Sequence, residues 1–219
     1  SRFMSNELER QRQYWNSETG NFDAIYERNK GPFGNWLDNT FRWDMYERFD
    51  YTMRNSEPIA GRSFLDVGCG TGRYAMEFLR RGASHVTGID VAENMLEICR
   101  QRAAAEGFAE STDFVRADVI AFDGRRDFDI SIGIGLFDYI GDALPVFARM
   151  RELSTVAAIA SFPRSGSWRA VLRKARLSVK NCDVFFYSKD DVARLVKDAG
   201  FARFDMELHG ELYCVTAWV

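Results

Sequence analysis

Short apolar runs alternate with amphipathic segments along the chain from residue 63 onward. The apolar runs predict five strands, over Ser63 to Val67, His85 to Ile89, Thr112 to Ala117, Phe128 to Ile134 and Thr155 to Ser161. Apolar residues at three- and four-residue spacing predict helices over Ala75 to Arg81, Ala92 to Glu106, Ala143 to Leu153 and Lys189 to Ala199. This alternation indicates βαβ units, and therefore an α/β fold whose mostly parallel sheet carries helices on both faces.

The last part of the chain follows a different pattern. Phe201 to Leu208 and Glu211 to Val219 are two apolar-rich stretches separated by His209 and Gly210, a dipeptide that suits a tight turn. We therefore expect the sheet to end in an antiparallel hairpin.

The residues before Pro58 do not continue the strand and helix alternation. Leu37, Phe41, Met45 and Phe49 recur every four residues on one helical stripe. Gly20 and Gly31-Pro32 interrupt the segment, which leaves shorter helical candidates at Glu7 to Trp15 and Phe22 to Asn29. The pattern predicts an N-terminal helical cap over residues 1–57, rich in aromatic side chains, that acts as a lid on a main domain over residues 58–219. Hydrophobic packing is the competing explanation of these aromatics.

Composition narrows the class of protein. Apolar residues are 46% of the chain, and 29 basic against 32 acidic side chains give a net charge of −3, so no overall field attracts nucleic acid. No apolar run approaches the roughly 18 to 20 residues that span a bilayer, so we expect a cytoplasmic protein with no membrane partner. The cysteines form no CxxC pair, so no metal site is expected.

A glycine-rich motif carries the strongest chemical signal. The sequence Phe64-Leu65-Asp66-Val67-Gly68-Cys69-Gly70-Thr71-Gly72 runs from a predicted strand into a turn that opens a helix. Glycine in such a turn lets the backbone approach a ligand closely, and ligands of open α/β sheets bind beyond the carboxyl ends of the strands. A dinucleotide fingerprint would place its third glycine at Arg73, so we do not expect tight NAD binding.

With Asp66 two residues before a GxGxG loop, the sequence resembles the class I S-adenosylmethionine-dependent methyltransferases from Ser63 to Val219. The resemblance implies a Rossmann-like methyltransferase sheet that binds S-adenosylmethionine and releases S-adenosylhomocysteine. It also implies that the glycine loop surrounds the methionine part of the cofactor while Asp66 holds its ammonium group. Asp90, after the second strand, would accept hydrogen bonds from the ribose hydroxyls. Asp118, after the third strand, would accept a hydrogen bond from the adenine amine. The remaining positions expected at the cofactor are Cys69, Val91, Val119 and Ile134.

Structural alternatives stand beside these assignments. Gly68, Gly70 and Gly72 could make a tight packing turn, and Asp90 and Asp118 could be helix N-caps. Cys69 is better explained as a small packing residue than as a nucleophile, because nothing near it in the sequence would lower its pKa.

The residues facing the methyl acceptor are less clearly marked. Tyr139 stands where many small-molecule methyltransferases of this family carry a histidine, so it could orient or deprotonate the acceptor, although core packing explains it equally well. The order Tyr14-Trp15-Asn16, then Ile25-Tyr26, and Ser161-Phe162-Pro163 after the fifth strand, resembles the magnesium-protoporphyrin O-methyltransferases more loosely. That likeness adds Tyr26 and Tyr14 to the candidate catalytic residues.

A basic run without any acidic residue extends from Arg164 to Asn181. It could receive a carboxylate or phosphate of the substrate, or it could be the solvated face of a helix. Trp168 in the same run could stack on an acceptor ring.

These observations favour methyl transfer to an oxygen or nitrogen of a small aromatic or anionic molecule. The alternatives are an RNA or protein methyltransferase, which the net charge disfavours, and a non-catalytic S-adenosylmethionine-binding protein. The oligomeric state is not predicted.

Overall fold

A single mixed sheet organises the computed structural model, which describes residues 32–124, 128–166 and 183–219, with side chains from residue 43. Its strands are β1 (Ser63–Val67), β2 (His85–Asp90), β3 (Thr112–Arg116), β4 (Phe128–Gly133), β5 (Ser154–Pro163), β6 (Arg203–His209) and β7 (Leu212–Trp218). Their order across the sheet is β3-β2-β1-β4-β5-β7-β6. The sheet confirms the predicted Rossmann-like architecture.

The helices pack on the two faces of this sheet. Within the described ranges they are α1 (Pro32–Asn55), α2 (Arg73–Arg80), α3 (Glu93–Ala105), α4 (Ala143–Leu153) and α5 (Lys189–Asp198). The predicted bounds of α2 to α5 and of all seven strands agree with the structure to within two residues. Of the helices described, none combines the length and the apolar character needed to cross a bilayer.

One strand of the sheet, β7, runs against the direction of all the others. β1 runs parallel to β2 and β4, and the outer pairs β2–β3 and β4–β5 are parallel as well. β7 is antiparallel to both β5 and β6, which confirms the predicted hairpin and places its second strand inside the sheet. β5 extends to Pro163 because β7 pairs with it along its whole second half, up to the Pro163 and Leu212 pair.

Two hydrophobic clusters fill the space between the sheet and its helices. On one face, Phe64 and Ile130 of the sheet pack with Phe78 of α2 and Leu96 of α3. On the other face, Leu65 of β1 belongs to the cluster that α4 and α5 cover. The parallel strands β1, β2, β4 and β5 are therefore covered on both sides, whereas β3 at the end of the sheet is mostly exposed. This leaves the carboxyl edge of the covered strands as the place where polar groups converge.

α1 belongs to the first of these faces. It begins at Pro32, where the predicted break lies, and its Met45, Tyr51 and Met53 are buried. The Tyr51 hydroxyl shares a hydrogen bond of 2.8 Å with Thr216 Oγ1 on β7. Of the predicted apolar stripe, Met45 and Phe49 pack against the core, whereas Leu37 and Phe41 lie outside the described side chains. The proposed helices at Glu7 to Trp15 and Phe22 to Asn29 lie outside the described residues, so the division at residue 57 stays a prediction.

The buried bond between α1 and β7 can be tested by removing one hydroxyl. We expect Tyr51→Phe to lower the free energy of unfolding by about 1 kcal/mol, because the Thr216 hydroxyl loses a buried partner. Urea unfolding measures this difference. The matched control is Tyr46→Phe on the same helix, whose side chain is 63% exposed and whose loss of a hydroxyl should not change stability. Equal stability of the two variants would contradict the proposed contribution of the bond.

Candidate functional site

The glycine loop after β1 is fastened to the end of β2 through its backbone amides. Gly68 N and Cys69 N donate to the Ile89 carbonyl at 2.8 and 3.1 Å. Gly70 N donates to Asp90 Oδ2 at 3.0 Å. The loop and the carboxyl end of β2 therefore form one rigid unit.

Two side chains of α3 hold the carbonyl groups of the same loop. The Cys99 thiol donates to the Gly70 carbonyl at 3.1 Å, and Arg102 Nη1 donates to the Thr71 carbonyl at 2.8 Å. The sequence analysis names neither residue, because both contacts depend on how α3 packs on the loop.

Two glycines of the loop show why other residues would fit poorly. Gly72 has φ +79°, and a Cβ there would lie 2.9 Å from Cys99 Sγ, so this position serves the close packing of the loop on α3. Gly70 has φ +52°, and a Cβ there would meet no protein atom of the structure within 4 Å. The loop is thus packed at Gly72 and open at Gly70, where a ligand can approach the backbone.

Asp66, at the end of β1, carries the most perturbed carboxyl group of the site. Its side chain is buried, and burial together with the nearby charge of Asp90 raises its pKa from 3.8 to about 7, against a hydrogen bond from the Ala75 amide. Within the described part of the chain, Oδ2 of Asp66 has no hydrogen-bond partner. A buried oxygen without a donor is costly, so this atom is available to a cationic or donor group of a ligand.

Asp90, at the end of β2, shares this pocket. Burial raises the pKa of its carboxyl group, while hydrogen bonds from the amides of Ala92, Gly70 and Val91 lower it. The N-cap position of α3 is occupied by Ala92. The helix-cap explanation of Asp90 is therefore wrong, and its carboxylate instead joins β2 to the glycine loop.

The other expected cofactor positions lie around the same edge. Asp118 Oδ1 accepts from Ile120 N at 3.1 Å in a turn after β3, and no described helix begins there. Val119 is buried in the cluster under α4, and Ile134 packs partly buried against the opposite cluster. A hydrogen bond with the Cys99 thiol, followed by burial, raises the pKa of Cys69, which agrees with a packing residue and not with a nucleophile.

The loop after β4 borders the glycine loop on its other side. A Cβ on Gly68 would lie 3.0 Å from Leu136 Cδ1, so the two loops are in contact. Tyr139 lies in a turn of this loop, with its amide donating to the Leu136 carbonyl at 3.2 Å. The structure thus brings Tyr139 to the same edge of the sheet as Asp66, and its catalytic role stays a prediction.

Tyr187 fixes this second loop from a distant part of the sequence. Its hydroxyl lies 3.1 Å from the Phe137 carbonyl and 3.3 Å from the Ile140 carbonyl, on either side of Tyr139. No local sequence pattern marks Tyr187 for this contact, since it depends on the fold bringing residues about fifty positions apart together.

Several residues singled out in the sequence lie outside the described residues. They include the candidate catalytic Tyr14 and Tyr26, Trp168, and the basic run from Arg169 to Lys180. Arg164 is described, and its amide donates to the Glu211 carbonyl at 2.8 Å. The proposed catalytic, stacking and anion-binding roles of these residues stay predictions.

Known proteins resemble this chain over the part that forms the site. Residues 64–155 match the family model described as a methyltransferase domain. A probable fatty acid methyltransferase of Pseudomonas putida is 35% identical over 108 residues, which are 48% of this chain and 27% of the relative. A ubiquinone biosynthesis O-methyltransferase of Neisseria meningitidis is 34% identical over 107 residues, 48% of this chain and 44% of the relative. The chain therefore spans less than half the length of these two curated relatives.

A solved structure matches over a larger share of the chain. The magnesium protoporphyrin IX methyltransferase of Synechocystis, crystallised with S-adenosylhomocysteine, superposes with a TM-score of 0.74. The two chains are 20% identical, and the match covers 94% of this chain and 97% of the Synechocystis chain. At this identity the likeness shows a shared fold.

The raised pKa of Asp66 predicts how a variant changes stability with pH. The folded protein holds the Asp66 proton more tightly than the unfolded chain, so this stabilisation is complete below pH 3.8 and is lost as pH rises through about 7. Asp66→Asn cannot lose a proton. We therefore expect its stability relative to the wild type to rise by about 2 kcal/mol between pH 5.5 and 8.5.

Urea unfolding of the unliganded protein at both pH values measures this change. Asp123→Asn, at an exposed carboxylate, is the matched control and should show no such pH dependence. A constant difference between Asp66→Asn and the wild type would show that the Asp66 pKa is not raised.

Proposed function

We infer the function from one premise: the chain belongs to the class I S-adenosylmethionine-dependent methyltransferases. We propose that it transfers a methyl group from S-adenosylmethionine to an oxygen or nitrogen of a small anionic or aromatic molecule. The methyltransferase-domain match over residues 64–155 and the strand order support the premise. The proposal rests above all on the buried Asp66 oxygen without a donor, next to a glycine loop that is open at Gly70.

The residues at the carboxyl edge fit this cofactor. Asp66 Oδ2 would accept from the ammonium group, and the open side of Gly70 leaves room for the methionine part. Asp90 would accept from the ribose hydroxyls, since a carboxylate has about four lone-pair sites and its bonds to Gly70 and Ala92 use only part of them. Asp118 would accept from the adenine amine.

The chain's contribution to the reaction is alignment more than chemical activation. Bound S-adenosylmethionine supplies a methyl group that is already activated by its sulfonium. Residues of the chain would hold the acceptor atom about 3 Å from that methyl group and exclude water, effects that can supply ~7 to 11 kcal/mol. The contact between the two loops, and the bonds of Tyr187 to the loop that carries Tyr139, provide such a fixed frame.

A small-molecule acceptor is favoured over RNA or protein. The net charge of −3 supplies no general attraction for nucleic acid. The curated relatives above are described as methyltransferases of fatty acids and of ubiquinone biosynthesis. The segment over residues 1–57 would cover the acceptor as a lid, which remains part of the proposal.

A transfer assay separates the proposal from its alternatives. Protein incubated with methyl-labelled S-adenosylmethionine and a small-molecule extract should move label into the small-molecule fraction. Label in added RNA or protein would favour the alternative acceptors. Cofactor binding without transfer to any fraction would favour a non-catalytic protein.

Asp90→Ala tests the ribose assignment. Loss of charge-assisted hydrogen bonds to two hydroxyls should cost roughly 1.5 to 3 kcal/mol, which weakens S-adenosylhomocysteine binding about tenfold or more. Calorimetric titration measures the affinity. Asp113→Ala, an exposed carboxylate on β3 that pairs with His85, serves as the control. Unchanged affinity of Asp90→Ala would exclude the ribose contact.

Tyr139→Phe tests whether this hydroxyl faces the acceptor. If Tyr139 orients or deprotonates the acceptor, the variant should bind S-adenosylhomocysteine like the wild type and lose about tenfold or more in transfer rate. The labelled transfer assay and calorimetry together give the two values. Wild-type transfer by Tyr139→Phe would leave packing as the function of this residue.

A further inference from the structure

Tyr187 is held in place by two elements that lie outside the loop after β4. Its amide donates to the Pro163 carbonyl at 2.8 Å, and its carbonyl accepts from the Ser165 amide at 2.8 Å, so its backbone is bound to the end of β5. The next residue, Ser188, caps α5, with its hydroxyl accepting from the Asp191 amide at 3.1 Å. The position of Tyr187 is therefore set by β5 and α5, and not by the loop that its hydroxyl reaches.

Ring contacts fix the direction of the tyrosine side chain. The ring of Tyr187 packs on Phe162 with centroids 5.2 Å apart and an angle of 73° between the planes, an edge-to-face arrangement that aromatic pairs prefer. Phe162 in turn packs on Phe137 of the loop after β4, with centroids 4.6 Å apart, and both phenylalanines are fully buried. The hydroxyl of Tyr187 therefore reaches one defined place on this loop.

The tyrosine hydroxyl shares its proton between two carbonyls that bracket Tyr139. Its oxygen lies 3.1 Å from the Phe137 carbonyl and 3.3 Å from the Ile140 carbonyl. Both distances exceed the usual O–H···O length of about 2.7 to 2.8 Å, which is typical of one proton interacting with two acceptors. The Phe185 amide donates to the intervening Asp138 carbonyl at 2.9 Å. Three carbonyls of the loop, on both sides of Tyr139, are thus held by one segment.

The hydroxyl of Tyr187 remains a donor at neutral pH. Burial raises its pKa, and the charges of Asp138 and Asp142 raise that pKa further. A phenol that keeps its proton cannot deprotonate an acceptor, so Tyr187 is excluded as a general base. Its hydroxyl can only hold the carbonyls that it contacts.

We propose that Tyr187 is a positioning residue for methyl transfer, whose hydroxyl holds the loop after β4 in the conformation that presents Tyr139 to the acceptor. The proposal rests on the function proposed above and adds to it a residue that acts through the loop. A displacement of about 1 Å at a reacting group can lower a rate about a hundredfold, so one hydrogen bond at this place is sufficient to affect transfer.

Tyr187→Phe removes the hydroxyl and retains the ring on Phe162. We expect the variant to bind S-adenosylhomocysteine within about twofold of the wild type, while its maximal transfer rate falls about tenfold. The concentration of small-molecule extract that gives half of the maximal rate should stay within about twofold, because only the transition state depends on the exact position of Tyr139. Calorimetry measures the affinity, and the labelled transfer assay over a dilution series of the extract gives both kinetic values.

A double variant tests whether the hydroxyl acts through Tyr139. If it does, adding Tyr187→Phe to Tyr139→Phe should change the remaining transfer rate by less than about twofold, because the hydroxyl that is positioned has already been removed. The same fold-change in both backgrounds would show that the two residues act independently, and it would overturn the proposal.

Ser154→Ala is the control for a loss of stability alone. Ser154 lies at the opposite end of β5, where its buried hydroxyl also reaches two acceptors, Ser131 Oγ at 2.7 Å and the Met150 carbonyl at 2.8 Å. Both variants should lose a similar free energy of unfolding in urea, but only Tyr187→Phe should lose transfer. Equal transfer by the two variants would leave Tyr187 as a structural residue and overturn its positioning role.

Hydrogen exchange tests the order of the loop without any transfer. The amides of residues 134–142 should exchange about threefold to tenfold faster in Tyr187→Phe than in the wild type, and at the wild-type rate in Ser154→Ala. Unchanged exchange in a wild type that transfers label overturns the role of Tyr187 alone. A wild type that transfers no label has a different meaning, because it overturns the proposed function whatever the exchange result.

Discussion

Two carboxylates held in a water-poor pocket set the electrostatics of the site. Asp66 and Asp90 end neighbouring strands, burial raises the pKa of both, and the charge of Asp90 raises that of Asp66 further. Backbone amides offset the charge of Asp90, but one oxygen of Asp66 receives no hydrogen bond from the described residues. Negative charge that the protein cannot neutralise with its own groups favours a cation from outside. The buried negative charge that lowers the stability of the folded protein therefore also gives this edge its affinity for a positive ligand.

Negative and positive side chains lie on different sides of this edge. The carboxylates stand on the side of β1 and β2, whereas the guanidinium of Arg48 lies over the loop after β4. A ligand with a positive and a negative end would be held in one orientation only, because reversal would bring like charges together. Backbone hydrogen bonds join the glycine loop to β2, and the Gly68 and Leu136 contact joins it to the loop after β4, so this polarity is fixed before any ligand arrives.

The sequence allowed the strands, most of the helices and the acids of the cofactor site to be predicted, because each depends on local periodicity or on a short motif. Asp66, Asp90 and the glycines are adjacent in the fold for the same reason that they are recognisable in the chain: each lies at or just after the carboxyl end of a strand. Cys99, Arg102 and Tyr187 gave no such signal. Their partners lie on other elements. A charged residue on a helix has the same local pattern whether it faces water or the glycine loop. The helix-cap explanation of Asp90 failed because the cap of α3 falls two residues later, at Ala92.

The position of β7 between β5 and β6 has a consequence for the order of folding. Strands β1 to β5 are contiguous neighbours through parallel crossovers, but among the described strands β6 pairs with β7 alone, and β7 follows β6 along the chain. α1 precedes the sheet and yet packs on that same strand, across the 165 residues that separate Tyr51 from Thr216. A ribosome-bound chain would therefore expose the apolar face of α1, and the open side of β5, until β7 emerges. Contacts of such high sequence separation form late, which makes this stage the one at which a growing chain most needs protection from aggregation.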